Sequence, residues 1–590
     1  MEHSGEGKTS GAFLAASVCA FLFCLASLTL VNVYDADFGF YLACGREILA
    51  HGIPQHEFYL PLLKDEPFTS QWLLSAAIFA SVWDHVGVWA FVILKALCYA
   101  GGFLFVAMAA VKRGVTAPLA FAVAGLLACA VSNRFVERPG FFSALFMGAL
   151  ICLYSRDRSF KITAPATLVI FTLWPFLHAE WLIGFGLLIS LLWSAKGCML
   201  HRIAVATAAL GIPFFLFALI HPSGIRPLLA PLSILVGGAG DFHVREYKLE
   251  AWTQMPGAIA AWVLLAAAAA WLLHRRRFPE GLFLTILLIL CLKVSRTILP
   301  AAIIGAPALG QMLQAALSTR SWERSKFVAA ACILTLALAG PPTRLRTPWR
   351  QTGLGLDPRF DCRGIAMTLD RIAISEGSIF TSDFGWSSVL LSQPAAVRQG
   401  IIMDGRQEAY SKAYLDQVFA PLFDNGAGWP ERVEKRGIAF YFEPYTISSE
   451  SSLSEEFRAL HWPIAAWDES GVLYVRPDLI KKYGMETFRY DAVRPSRSGA
   501  VTKQEIAAIR EEVHAHAEYL AAQHFPIARA KIAEGILAAA MGDDDAAEVL
   551  LNEAKEDGGD RYPTWWRAEA DLLQRLGRFE EAAAAQAKLE

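Results

Sequence analysis

The stretch Gly11–Val33, GAFLAASVCAFLFCLASLTLVNV, runs without a charge into Tyr34-Asp35-Ala36-Asp37-Phe38-Gly39-Phe40. A helix rises about 1.5 Å per residue, so the first part is long enough to cross a hydrocarbon core of about 30 Å. It is too long for the apolar region of a cleavable leader. Residues 1–10 hold one Lys and two Glu and give no basic start, and no A-x-A site follows. The expectation is a retained first transmembrane helix, with two aspartates placed where the chain leaves the bilayer.

Outward from this helix the apolar runs recur, at about 70–84, 86–110, 115–132, 140–154, 163–177, 180–195, 203–220, 256–273, 279–294, 297–317 and 326–340. Basic clusters stand at Lys112-Arg113, Arg156 to Lys161, Lys196 to Arg202, His274 to Arg277 and Arg320 to Lys326, with two runs between each cluster and the next. The positive-inside rule then places all five on the cytoplasmic face. An odd number of crossings must separate the external loop 34–69 from Lys112, so the short run 70–84 is expected not to cross. The prediction is about 11 crossings, with the N-terminus cytoplasmic and the C-terminal half exported.

The composition agrees. Of 590 residues 55% are hydrophobic and 18% charged, against about a quarter charged in soluble domains. Net charge is −2, and no basic run is paired with an aromatic platform, which excludes a nucleic-acid partner. The ten cysteines show no CxxC and no metal-ligand spacing with histidine, so they read as small packing residues. GxGxxG after a strand, GxSxG and HExxH are absent from the sequence.

Past Pro341 the apolar runs shorten. Residues 342–360 read as a linker rich in Pro, Arg and Thr, and 361–490 as a small α/β unit. Its strands are expected at Gly377 to Thr381, Gln399 to Met403, Gly437 to Glu443 and Gly471 to Val475, with a helix over Gly364–Glu376. From about 500 to 590 the chain is helical and Ala-rich. Gly542-Asp543-Asp544 and Gly577-Arg578-Phe579 each precede a helix, close to the roughly 34-residue period of tetratricopeptide repeats. Two repeats fall below the three or so that stand alone, so a peptide-binding module and an ordinary helical hairpin tail both remain open. The fold class is thus an α-helical polytopic membrane domain over 1–341, a small α/β extracytoplasmic domain and an α-helical repeat tail.

Asp35 and Asp37 are the informative residues. In an extended segment, positions i and i+2 share a face. Two carboxylates there can hold a hard divalent cation, serve as a general base for a hydroxyl, or cap the helix that follows. In the α/β unit, Asp404-Gly405-Arg406 reads as a turn with Gly405 at positive φ. It can bind an acceptor or dock the unit onto the membrane domain.

The run Asp35-Ala36-Asp37-Phe38, Gly45-Arg46, His51-Gly52-Ile53-Pro54, Gln71-Trp72-Leu73 resembles the opening of GT-C superfamily glycosyltransferases. These are the class of the bacterial protein mannosyltransferases and lipid A aminoarabinose transferases. Arg138-Pro139, Trp174 to His178, His221-Pro222-Ser223-Gly224, Arg296, Phe384-Gly385-Trp386 and Asp404 to Tyr410 extend the likeness in order over roughly 11–440. The pattern departs at Gly140, Ala179 and His221, where it predicts Gln, Gly and Asn.

The resemblance implies an enzyme of the bacterial inner (cytoplasmic) membrane that takes a sugar from a polyprenyl-phosphate donor at the outer face. An acidic residue of the first external loop, Asp35 or Asp37, then acts as base or as ligand to Mg or Mn. Arg138, Arg296 and His178 become phosphate contacts, with Arg46 more remote and Asp404 and Arg406 near the acceptor. Arg suits phosphate because its guanidinium donates in pairs. A non-catalytic assembly factor for envelope polysaccharide or protein export, acting on a protein partner through the tail, is the rival reading. A transporter is disfavoured by the lack of duplicated apolar runs and paired broken helices.

Overall fold

The computed structural model describes residues 4–155, 160–194, 198–237, 255–318, 352–373, 376–381, 383–406, 409–424, 428–445, 456–457, 459–488 and 502–589. The apolar run 326–340, most of the linker and the basic stretch 320–326 lie outside these residues. Five described helices are long and apolar enough to cross a membrane: Val88–Lys112, Phe160–Leu177, Met199–Ile220, Pro256–His274 and Ser295–Leu317. Shorter apolar helices at Ala117–Ala130, Gly140–Leu153, Trp181–Ser194 and Phe278–Lys293 pack with them, with Ser4–Thr29 at the start.

The two ends of this bundle differ in charge. At one end Arg113 and Arg277 both meet Glu280, at 2.9 and 2.5 Å. Lys112 donates to the Cys152 carbonyl in the same region. This gathers two of the basic clusters on one face. Lys95 lies on the same helix as Lys112, about 25 Å away along the axis at 1.5 Å per residue, and marks the opposite end. The acidic loop and the α/β unit sit at that opposite end.

The first helix stops at Thr29, short of the expected Val33. Residues 31–33 are instead extended and pair with the far half of the chain: Val31 with Thr352, Val33 with Leu356. The Val33 N–H donates to the Gly355 carbonyl at 2.9 Å and the Asp357 N–H to the Val33 carbonyl at 2.9 Å. The β-branched valines suit extended backbone, and the end of the linker supplies partners that a continued helix would lose.

The external loop folds into two helices, Phe38–His51 and Leu73–His85, packed side by side. Gly45 makes this possible, because a Cβ there would collide with the Ala76 carbonyl. The second helix has 13 residues, about 20 Å. That is short of the bilayer core, but the helices Ala117–Ala130, Gly140–Leu153 and Trp181–Ser194 are only one residue longer, so length does not separate the run 70–84 from them.

The α/β unit carries a mixed sheet in the order β1-β2-β4-β3. β1 (Ser378–Thr381) runs parallel to β2 (Ile438–Pro444), and β4 (Gly471–Val475) is antiparallel to both β2 and β3 (Ile464–Trp467). Three of the four expected strands are present. The fourth, at 399–403, is a single bridge from Ile401 to Ile379, because the helix Pro394–Gln399 occupies its start. β3 was not expected; its run is short and follows His461-Trp462-Pro463.

In the tail, Thr502 and Glu505 form a capping box that starts Lys503–Ala522. The helices Ala528–Met541 and Asp544–Glu556, and then Pro563–Arg575 and Phe579–Gln586, follow as two hairpins. Gly542 and Gly577 take φ of +87° and +74° at the two turns, a conformation open to glycine at little cost. The tail packs on the sheet unit. Arg529 lies between the Tyr445 and Tyr562 rings, 3.9 and 4.0 Å from their centroids, and its N–H donates to Glu469 at 2.8 Å.

Candidate functional site

The extended segment 31–33 delivers Asp35 to the junction of the bundle and the α/β unit. The Tyr34 and Asp35 N–H groups donate to one oxygen of Glu137, at 3.1 and 3.0 Å. The Asp37 N–H donates to Asp35 Oδ1 at 2.9 Å, which bends the chain and brings the second carboxylate beside the first. Arg138 then reaches both. Its Nε donates to Asp35 Oδ2 at 2.9 Å, and its Nη2 lies 3.0 Å from Asp37 Oδ2. The two carboxylates meet through a turn at 36–37, not on one face of an extended segment. Asp37 stands at the N-cap of Phe38–His51 but makes no side-chain capping bond, so helix capping does not account for it.

The α/β unit closes this site from outside. A Cβ on Gly405 would collide with Asp37 Oδ1, and one on Gly39 would collide with the Ser388 carbonyl. The Gly405 N–H donates to Ser388 Oγ at 3.2 Å. Gly405 does not adopt the positive φ expected of it: the glycines with positive φ lie elsewhere. It is glycine because Asp37 approaches it closely.

His178 sits next to this group. Its Nδ1 is 3.0 Å from Ser143 Oγ and 3.5 Å from Glu180 Oε2, and Trp174 Nε1 donates to the same Ser143 hydroxyl at 2.8 Å. A Cβ on Gly140 would lie 3.5 Å from His178 Cε1, which places the imidazole over the helix start that carries Arg138. Arg296 is exposed in the turn Ser295–Thr297.

Arg46, Asp404 and Arg406 hold domains together. Arg46 donates from Nε and Nη2 to Asp84, at 2.8 and 2.7 Å, and from Nη1 to the Ser392 carbonyl at 2.5 Å. Arg406 is fully buried. It donates to Asp404 at 2.8 Å, to Glu57 at 2.7 and 3.3 Å and to Ser70 Oγ at 3.0 Å, and it lies over the Tyr59 ring. Tyr59 and Tyr410 donate to the two Asp404 oxygens at 2.6 and 2.8 Å. Burial alone lowers the Arg406 pKa, but the Asp404 and Glu57 carboxylates outweigh it and hold the guanidinium well above its ordinary value. Of the two readings of Asp404-Gly405-Arg406, this geometry is that of docking: the external loop and the α/β unit are tied by a buried, satisfied cluster.

Glu57, Tyr59 and Lys95 were not foreseen; Glu137 was expected as a partner of Arg138 but pairs with Lys95 instead. Lys95 carried a signal, as a lone charge inside an apolar run. Glu137 preceded the noted Arg138-Pro139. Glu57 and Tyr59 carried none.

The structure pairs Asp35 and Asp37 with Arg138 rather than presenting them as an open donor set for Mg or Mn. Asp35 spends one oxygen on the Asp37 N–H and the other on Arg138, and a guanidinium occupies the space between the carboxylates. No group of three or more His, Cys, Asp and Glu side chains able to hold a metal occurs among the described residues.

No family model matches the chain, and no curated protein matches it either. Solved structures do. The oligosaccharyltransferase of Archaeoglobus fulgidus in complex with Zn and sulfate aligns with a TM-score of 0.51 at 12% identity, covering 73% of this chain and 68% of that one. The same enzyme tethered to an acceptor peptide containing the NVT sequon gives 0.51 at 11%, over 73% and 69%. The archaeal oligosaccharyltransferase AglB with an inhibitory peptide and a dolichol-phosphate gives 0.50 at 12%, over 73% and 69%. These likenesses show a fold shared with the archaeal oligosaccharyltransferase. ArnT from Cupriavidus metallidurans aligns with a TM-score of only 0.24, which supports no choice of subtype within that fold.

Proposed function

We propose that this chain is a membrane glycosyltransferase that moves a sugar from a polyprenyl-phosphate lipid to an acceptor on the extracytoplasmic side. The observation that carries the reading is Arg138 bridging Asp35 and Asp37 where the bundle meets the α/β unit, on a fold shared with an enzyme captured with dolichol-phosphate. The basic end formed by Arg113 and Arg277 supports a cytoplasmic face opposite the site, and hence a bacterial inner-membrane protein with its C-terminal half exported.

Asp37 is the general base in this reading. The acceptor hydroxyl gives its proton to the Asp37 carboxylate while its oxygen attacks the anomeric carbon from the face opposite the phosphate. The carbon–oxygen bond to the phosphate breaks, its electron pair leaves on the lipid phosphate, and the configuration inverts. Arg138 is shared. A lipid phosphate competes with the two carboxylates for its guanidinium, a partner it can grip with paired donors. Donor binding therefore frees Asp37 to accept a proton. Asp35, with a backbone N–H on one oxygen, keeps its place as the fixed anion. His178 beside the Arg138 helix start is a second phosphate donor. No step is routed through a metal.

The clasp of both carboxylates by Arg138 also favours a second reading, a scaffold without turnover. There the open groove lined by Arg510, His514, Glu534, Met541, Val549 and Leu550 seats a segment of a partner protein. Purified protein in nanodiscs, offered a panel of radiolabelled polyprenyl-phosphate sugars, separates the two. Sugar release or transfer that disappears in Asp37→Asn with folding intact supports the enzyme. No binding and no turnover with any donor supports the scaffold.

A further inference from the structure

Behind the site lies an ion pair that the transfer step does not use. Lys95 and Glu137 both have side chains with 0% exposure, and they contact each other inside the bundle. Lys95 also donates to the Val31 carbonyl at 3.1 Å. The other Glu137 oxygen accepts the Tyr34 and Asp35 N–H groups. The pair thus grips the exit segment at Val31, where its backbone pairing begins, and at 34–35, just past where it ends.

A buried lysine–glutamate pair rarely adds net stability, because the desolvation of two charges offsets their attraction. A packed apolar pair would serve the bundle as well. What they supply that apolar residues cannot is directed hydrogen bonding to the main chain, from Lys95 to the Val31 carbonyl and from the Tyr34 and Asp35 N–H groups to Glu137. Tyr34 and Asp35 each need an acceptor there, since Asp35 is buried and an unmet buried amide gives up its bond to water with nothing in return. Arg138, the next residue after Glu137, is carried by the same backbone. Glu137 therefore fixes the spacing between Asp35 and Arg138 from the rear.

We infer that Glu137, braced by Lys95, is a positioning residue that holds Asp35 in register with Arg138. The inference deepens the glycosyltransferase reading and rests on it for its effect on turnover, while its geometric part stands apart from it.

The test uses the full chain in nanodiscs and two variants without an acceptor at 137, Glu137→Met and the double variant Lys95→Met with Glu137→Met. The double variant removes the lone buried ammonium that the single one leaves, so it keeps a folded sample in hand. Amide hydrogen exchange of the peptide spanning Tyr34 and Asp35 is read first, without any donor. The expected result is at least tenfold faster exchange there in both variants, with the Val88–Lys112 and Gly140–Leu153 helices unchanged. Turnover per folded molecule is read next; kcat is expected to fall at least tenfold with KM for the donor within twofold of wild type. Unchanged exchange at 34–35 in a folded variant overturns the inference. Faster exchange with unchanged kcat overturns it too, by showing that the register does not matter to transfer. Faster exchange in a protein whose wild type turns over no donor upholds the brace and removes the glycosyltransferase reading.

Discussion

Two clusters of arginine and carboxylate face each other across the junction, and they are built differently. At Asp404–Arg406–Glu57 the guanidinium has a side-chain exposure of 0% and every direction is filled by a carboxylate, a hydroxyl or an aromatic face. At Asp35–Asp37–Arg138 the arginine side chain is 34% exposed and Asp37 15%. The residue types match, but only the second can exchange a partner with a ligand. A satisfied buried network is costly to disturb, whereas an arginine with a third of its side chain exposed can be reached by a better anion.

The largest effect that would sharpen this contrast is on turnover. Asp37→Asn is expected to lower kcat by about 10²–10⁴, the usual contribution of a positioned base, with the melting temperature unchanged. Arg406→Met is the mirror case. It leaves Asp404 and Glu57 buried without their cation, a loss of about 3–5 kcal/mol, and is expected to appear as a collapse in the yield of folded protein or in its heat stability. Equal behaviour of the two variants would break the contrast.

Gly405→Ala tests the contact between the halves. The backbone accepts alanine there, but the Cβ displaces the Asp37 carboxylate. Turnover is expected to fall by up to about 100-fold, as a 1 Å misplacement can do, while exchange in the Arg406 cluster stays slow. Arg138→Lys keeps the charge and loses the paired donors. The expected change is about tenfold in KM for the lipid donor, read by steady-state kinetics.

The smallest effect lies away from both clusters. Burial pushes the Asp468 carboxyl from 3.8 up to about 7, against hydrogen bonds from Ser470 and the Ile365 N–H. The folded chain thus holds a proton that the unfolded chain has released. This contribution to stability is present below about pH 4 and is lost as the pH rises through about 7. Melting curves are expected to fall across that window in wild type and to be flatter in Asp468→Asn.

Much of this was legible in the sequence, for a physical reason. Apolar length, basic clusters and strand runs are local signals. So most of the described helices, three of the four anticipated strands and the Gly542 and Gly577 turns fall close to where the residues placed them. Asp35, Asp37 and Arg138 were visible as ionisable residues at the ends of apolar runs. Their meeting was not, because it depends on residues 352–357 pairing with 31–33, a contact across the whole membrane domain. The same holds for Asp404 and Arg406. Their partners Glu57 and Tyr59 lie in a loop with no motif, and a turn that ties two domains has the same local signature as one that binds an acceptor.

The central claim is that Arg138 trades the carboxylates for a lipid phosphate. The most direct measurement is a structure of the chain in nanodiscs with added polyprenyl phosphate. The account predicts the phosphate within hydrogen-bond distance of the Arg138 guanidinium, with Asp37 released from it. A phosphate bound elsewhere, or a filled lipid site with Arg138 still holding both Asp35 and Asp37, would contradict it.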